Sequence, residues 1–244
     1  MSQQDKILSA TSRAMEIETA ASSELPRPFE SVPPHESLSR EERANQLTHG
    51  FGLVLSLCGA PVIWQQAARS SSSALSASGV IFLITLVALY AASTLSHSFT
   101  RPRWREFFRT VDQVCIFLLI AGTFTPIAVA YLPPWMLWPL MTAVWACALL
   151  GAGLKLFVTG RDTVSLTMNL LAGWLGVLGI GPILQNMPLS GTLCLVAGGL
   201  CYTGGIWFWL RSESHPGSHA LWHLSVIAGS CLHYLVVAFY ALPS

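Results

Sequence analysis

Seven apolar stretches of about twenty residues follow one another from Leu47 onward, and each is long enough to cross a lipid bilayer as a helix. The predicted spans are 47–66, 76–98, 111–131, 134–156, 164–185, 188–210 and 219–242. They lack the alternation of polar and apolar residues that marks the strands of a membrane β-barrel. Only 10% of the residues are charged, against about 25% in average soluble domains. The sequence therefore predicts an all-α, seven-transmembrane-helix bundle.

The basic residues predict how this bundle is oriented in the membrane. Twelve of the thirteen Lys and Arg residues fall on one side of a seven-helix topology, and Arg69 alone falls on the other. Because Lys and Arg concentrate in cytosolic segments, we expect a cytosolic N-terminus and a C-terminus outside. The expected location is the plasma (inner) membrane, as a multi-pass protein.

Residues 1–40 differ from the rest in having no long apolar run. Prolines within 25–28 and at 33–34 prevent a continuous helix there, so we predict a disordered cytosolic tail followed by a membrane domain over residues 41–244. The formal net charge of +1 gives no field that would attract nucleic acid. Membrane lipids are the expected partners.

Polar groups at membrane depth are costly and often functional, and several converge on one leaflet in this topology. His97 ends the second span, Asp112 begins the third, and His219 and His223 begin the seventh. His49 begins the first span, although the sequence assigns it no role. The cytosolic leaflet is therefore the predicted position of any site.

The spacing of these histidines suggests a metal site. His219 and His223 are four residues apart, so both imidazoles lie on one helix face and can serve as two nitrogen ligands of one Zn²⁺. His97 would supply a third nitrogen, which leaves a fourth position open for water. Asp112 could orient or deprotonate that water, or hold a ligand imidazole in place.

Each of these features also has a simpler interpretation. A pair of histidines four residues apart is common where helices meet the membrane interface. Ser93, four residues before His97, could be a packing serine that bonds a backbone carbonyl. Asp112 could be an acidic residue favoured by the dipole at a helix N-terminus.

Two further histidines are expected to lie outside the metal site. His233 is ten residues beyond His223, roughly 15 Å along a helix, and is expected to pack or to form a hydrogen bond. His215 lies in a polar loop and is expected to be solvated.

Four ordered motifs resemble those of the hemolysin III family. Residues 41–52 read EERANQLTHGFG and resemble the family's opening EE-x-AN-x-x-THG-x-G. Residues 89–98, LYAASTLSHS, resemble its second-helix motif with S-x-x-x-H. Asp112 followed by LIAGTFTP resembles the third-helix motif, and residues 219–223, HALWH, followed by Gly-Ser at 229–230 resemble the seventh.

This resemblance implies a relationship to the progestin and adipoQ receptors and, more distantly, to alkaline ceramidases. It implies a seven-helix fold with a zinc ion near the cytosolic leaflet. It also implies metal ligands at His97, His219 and His223, with Ser93 and Asp112 near the metal as catalytic groups. The sequence departs from the family after Asp112, where Gln-Val-Cys replaces the expected His or Tyr nearby.

Three functions are compatible with these residues. The first is a zinc-dependent hydrolase of a lipid amide or ester, similar to a ceramidase, in which Asp112 handles proton transfer during the attack of water on the carbonyl group. The second is a receptor-like or membrane-homeostasis protein in which zinc is structural. The third is a pore-forming cytolysin, which is the least expected because a protein with several membrane spans cannot be released as a soluble toxin.

Overall fold

The structure is a computed structural model that describes residues 38–157 and 162–244, with residues 162–164 described for the backbone alone. The predicted N-terminal tail lies outside the described residues except for residues 38–40, of which Arg40 is already the first residue of the first helix. Ser39 caps that helix, because its side-chain oxygen accepts a hydrogen bond from the backbone N–H of Glu42 at 3.1 Å.

Seven helices make up the described part of the chain, and each is long and apolar enough to span a membrane. The fifth, α5, consists of an α-helical segment, a 3₁₀ turn and a second α-helical segment, and the seventh, α7, ends in a π-helical turn. The helices are α1 Arg40–Arg69, α2 Ser73–Ser96, α3 Pro102–Tyr131, α4 Pro134–Phe157, α5 Asp162–Leu175 with Gly176–Gly179 and Ile180–Asn186, α6 Leu189–Leu210, and α7 Ser218–Val236 with Val237–Ala241. The predicted fold class is confirmed.

Two helices begin earlier than the hydropathy predicts. The helix α1 begins at Arg40 instead of residue 47, and α3 begins at Pro102 instead of residue 111. Both have 30 residues, or about 45 Å of helix, which exceeds the ~30 Å of hydrocarbon. Their first turns are polar, so a prediction based on apolar stretches does not include these turns. Proline at the first position of α3 suits a helix start, because its missing N–H needs no partner there.

Short connections make consecutive helices antiparallel, so one end of the bundle carries the beginnings of α1, α3, α5 and α7. We call this the basic end, because it holds the arginines of the α2–α3 connection and of the first turns of α3. The helix α3 is central and largely buried, whereas α6 is peripheral and largely exposed on the outside of the bundle. The principal neighbours of α3 are α2 and α4, while α6 packs against α7 and α7 also packs against α1.

Small residues allow these helices to approach closely, as is typical inside membranes. A Cβ added at Gly229 of α7 would lie 2.8 Å from the ring of Tyr202 on α6, and one added at Gly205 would lie 2.7 Å from the Cβ of Ser225. The connection before α7 contains Gly217 with φ of 83°, a left-handed conformation that favours glycine. This turn reverses the chain at the basic end and sets where α7 begins.

Candidate metal centre

Three histidines meet at the basic end of the bundle. His97 is the residue that caps the C-terminus of α2, and His219 and His223 lie in the first two turns of α7. One ring nitrogen from each histidine lies within 4.8 Å of the other two. The ring centroids are 4.5 Å apart for the two α7 histidines, and His97 lies 5.3 Å from His219 and 5.1 Å from His223. The structure therefore brings together the three histidines that the sequence predicts as ligands.

The donor set of this triad fits a divalent transition metal. Three imidazole nitrogens are typical ligands of zinc and related ions, and such sites leave a fourth position for water or substrate. Nitrogens bound to a tetrahedral zinc ion lie about 3.3 Å from one another, so ligation requires only a modest inward movement of the rings. His97 and His223 are 5% and 2% exposed, so their rings lie inside the bundle rather than on its surface.

Two side chains of α1 contact these histidines. The Glu42 carboxylate lies 2.7 Å from Nδ1 of His97 and also pairs with Arg105 of α3. The hydroxyl of Thr48 lies 3.1 Å from Nδ1 of His223. Sequence reasoning missed both contacts, although both residues lie in the first quoted motif. The signal that could have found Glu42 is the polar first turn of α1, where a helix cap precedes the membrane span.

The two predicted catalytic residues lie next to the triad. Ser93 is one turn before His97 and is 1% exposed, and its side chain faces the Asp112 carboxyl of α3. The Ser93 hydroxyl bonds no backbone carbonyl group of its own helix among the described residues. The interpretation of Ser93 as a serine bonded to its own helix is therefore wrong. The dipole interpretation of Asp112 is also wrong, because Asp112 lies ten residues inside α3.

A cavity of about 480 Å³ connects the triad with the interior of the bundle. Its wall at the basic end includes His97, Asp112 and His219, and it extends as far as Ile183 and His233. Most of the wall between these ends is aliphatic or aromatic. The cavity therefore combines an apolar chamber with a cluster of polar groups at one end, as small-molecule sites commonly do.

The remaining histidines lie as follows. Nε2 of His233 donates to the backbone carbonyl of Leu195 at 3.0 Å, which confirms that it is a hydrogen-bonded residue of the interior. His215 is exposed in the connection before α7, as expected. His49 is 3% exposed, its ring centroid lies 3.7 Å from that of His223, and neither of its ring nitrogens has a hydrogen-bond partner in the described residues.

Comparisons with known proteins assign the chain to a protein family. A family model described as Haemolysin-III related matches residues 38–234, which contain the whole candidate site. Hemolysin-3 of Bacillus cereus is 34% identical over 206 residues, covering 84% of this chain and 94% of the relative. The Hemolysin-3 homolog of Bacillus subtilis (strain 168) is 33% identical over 202 residues, covering 82% and 94%. Monocyte to macrophage differentiation factor of Homo sapiens is 27% identical over 207 residues, covering 81% and 83%.

Proposed function

Because the chain belongs to the haemolysin-III-related family of membrane proteins, we propose that it is a membrane-embedded hydrolase of lipid amides or esters that uses zinc. His97, His219 and His223 would hold the ion. The observation that supports this proposal is that the three clustered imidazoles and the Asp112 carboxyl group line one largely apolar cavity. A protein that needed metal for stability alone would not require the cavity or the acid.

Each part of the site has a defined task in this proposal. A bound zinc ion supplies Lewis-acid polarisation of a carbonyl group and lowers the pKa of a coordinated water. Asp112 accepts the proton that the attacking water loses and returns it to the leaving nitrogen or oxygen. Ser93, whose hydroxyl faces Asp112, orients that carboxyl group. Ser93, His97 and His223 are buried, which keeps bulk water away from these groups and strengthens their electrostatic interactions.

The cavity favours a lipid as substrate. Its volume of about 480 Å³ lies within the range of small-molecule sites, and its apolar wall suits an acyl chain. An acyl chain that fills the cavity places its carbonyl end beside the histidines and Asp112. The substrate class is therefore an N-acyl or O-acyl lipid, drawn from the membrane in which the protein lies.

The orientation of the bundle forms part of the proposal. The basic end holds the metal centre, and basic segments favour the cytosol. The site then faces the cytosolic half of the plasma (inner) membrane, with the C-terminus on the opposite side. Substrates would be lipids of that leaflet.

The test is hydrolysis by the purified protein in liposomes that contain fluorescent ceramide or phospholipid. We expect release of fatty acid that stops when zinc is chelated and resumes when zinc is returned. The double variant His219→Ala, His223→Ala should be inactive, while His215→Ala, an exposed histidine at the same end, serves as the matched control. Hydrolysis that continues in the double variant would refute the proposal. Dye leakage from the same vesicles tests the lytic alternative.

A structural role for zinc is the second candidate, and one observation favours it. The three histidines come from α2 and α7, so a bound ion would cross-link an early helix to the last one. A lipid or partner could then act by shifting helix packing, as in a receptor-like or membrane-homeostasis protein. This candidate predicts that Asp112→Asn is tolerated, whereas the hydrolase requires the carboxyl group.

A further inference from the structure

The helix α1 supplies none of the three histidines of the triad, yet it contacts two of them. Glu42 and Thr48 lie six positions apart on α1, and each faces Nδ1 of a different histidine. We propose that α1 determines which ring nitrogen binds the metal and how the ring is oriented, with Glu42 positioning His97 and Thr48 positioning His223. This inference rests on the proposed metal site and assigns two positioning residues to it.

The hydrogen bonds of Thr48 define the state of His223. The Thr48 hydroxyl lies 3.0 Å from the carbonyl oxygen of Ala44 and 2.9 Å from that of Asn45. A hydroxyl has one hydrogen, and in the proposed arrangement that hydrogen points to these backbone carbonyl groups of α1, which can only accept. The hydroxyl oxygen then accepts from His223, and Nδ1 is the protonated nitrogen in this arrangement. The lone pair is left on Nε2, the atom available to a metal.

The contact with Glu42 favours the same tautomer of His97, with the proton on Nδ1. A carboxylate has no hydrogen to donate, so Nδ1 of His97 donates to Glu42 at 2.7 Å. The lone pair of His97 is again on Nε2. Pairing of a metal-bound histidine with a carboxylate fixes its tautomer and orientation and raises its basicity. Arg105 pairs with the other oxygen of Glu42 and compensates its charge.

His97 needs such a partner more than a residue inside a helix does. It is the capping residue after the last turn of α2, so the helix restrains it from one side only. Two contacts from α1 hold this region, because Gln46 also donates to the hydroxyl of Ser98 at 2.9 Å. The cap bond from Ser39 fixes the first turn of α1 and leaves the Glu42 side chain free to reach His97.

The experiment measures metal affinity and ligand geometry in the full-length protein. Glu42→Gln and Thr48→Val would be compared with Glu41→Gln and Thr94→Val, which make the same chemical changes without a contact to the triad. Thr94 is a close match, because its hydroxyl also donates to a backbone carbonyl of its own helix. Zinc affinity would be measured by competition with a chelator, and the visible spectrum of the Co²⁺ form would report ligand geometry.

We expect zinc affinity to fall roughly 10–100-fold in Glu42→Gln and in Thr48→Val, with a changed Co²⁺ spectrum. The two control variants should match the wild type, and Thr48→Ser should restore the affinity because it keeps the hydroxyl. If Glu42→Gln does not fold, Thr48→Val and Thr48→Ser still decide the matter. Wild-type affinity and spectra in Thr48→Val would overturn this inference while the metal site stood. A folded wild-type protein that binds no metal would instead overturn the proposed function.

Discussion

Replacement of Asp112 by Asn separates catalysis from metal binding. Asp112 lines the cavity beside the triad, but it does not belong to the set of nitrogen ligands. Asn has nearly the same shape as Asp, so the contact with Ser93 and the packing of α3 should survive. The change removes the negative charge and the ability to accept a proton.

The structure sets the size of the expected effect. General acid–base groups contribute about 10²–10⁴-fold to rate. Asp112 is the one carboxyl group among the described residues that line the cavity, whereas Glu42 lies outside the cavity wall and is paired with His97 and Arg105. We therefore expect hydrolysis to fall about 10³-fold, which corresponds to about 4 kcal/mol in the activation free energy. Zinc content should remain unchanged.

The assay compares the release of fatty acid from a fluorescent lipid with the zinc content of the same preparation. Asp162→Asn, the same chemical change at the beginning of α5, is the control and should keep wild-type activity. A drop in activity of less than about tenfold would show that Asp112 does not carry the proton. Loss of zinc together with activity would show that Asp112 supports the metal instead.

Two further predictions use glycines whose surroundings differ. Leu at Gly151 of α4 would collide with the ring of Phe117 and should cost about 1–3 kcal/mol of unfolding free energy, whereas a Cβ added at Gly153 meets nothing within 4 Å, so Leu there should cost less. The denaturation midpoint should therefore be lower for Gly151→Leu than for Gly153→Leu, and equal midpoints would contradict the α3–α4 packing. Gly199 lines the cavity, so Leu at this position should raise the KM for long-chain lipids without loss of zinc. Gly204 also has room for a Cβ on α6 but lies outside the cavity wall, so Leu there should leave the KM unchanged. Identical KM values for the two variants would exclude the cavity as the acyl site.

The fold was largely predictable because hydropathy alone defines segments that can cross a bilayer. All seven predicted spans correspond to helices of the described chain. The errors lie where a helix is not apolar, as in the first turns of α1 and α3. The 3₁₀ turn over Gly176–Gly179 could not be predicted, because apolar residues continue through it and hydropathy does not distinguish helix types.

The candidate site was predictable as far as topology alone brings residues together. His97, His219 and His223 were placed on one leaflet by counting helices, and the structure brings their ring nitrogens together. The contacts of Glu42 and Thr48 were not predictable, because they depend on how α1 is rotated about its axis against α2 and α7. Rotation depends on side-chain packing between helices, which a single sequence does not display.

The most direct test of the metal centre is the metal content of the purified protein, measured by elemental mass spectrometry without chelator in the detergent buffer. Wild type, His97→Ala, and the double variant His219→Ala, His223→Ala would be compared, with His215→Ala as the control. We predict close to one zinc ion per chain in the wild type and the control, and loss of zinc in the other two. A well-folded wild-type protein without stoichiometric zinc, or full zinc content in the double variant, would contradict the account.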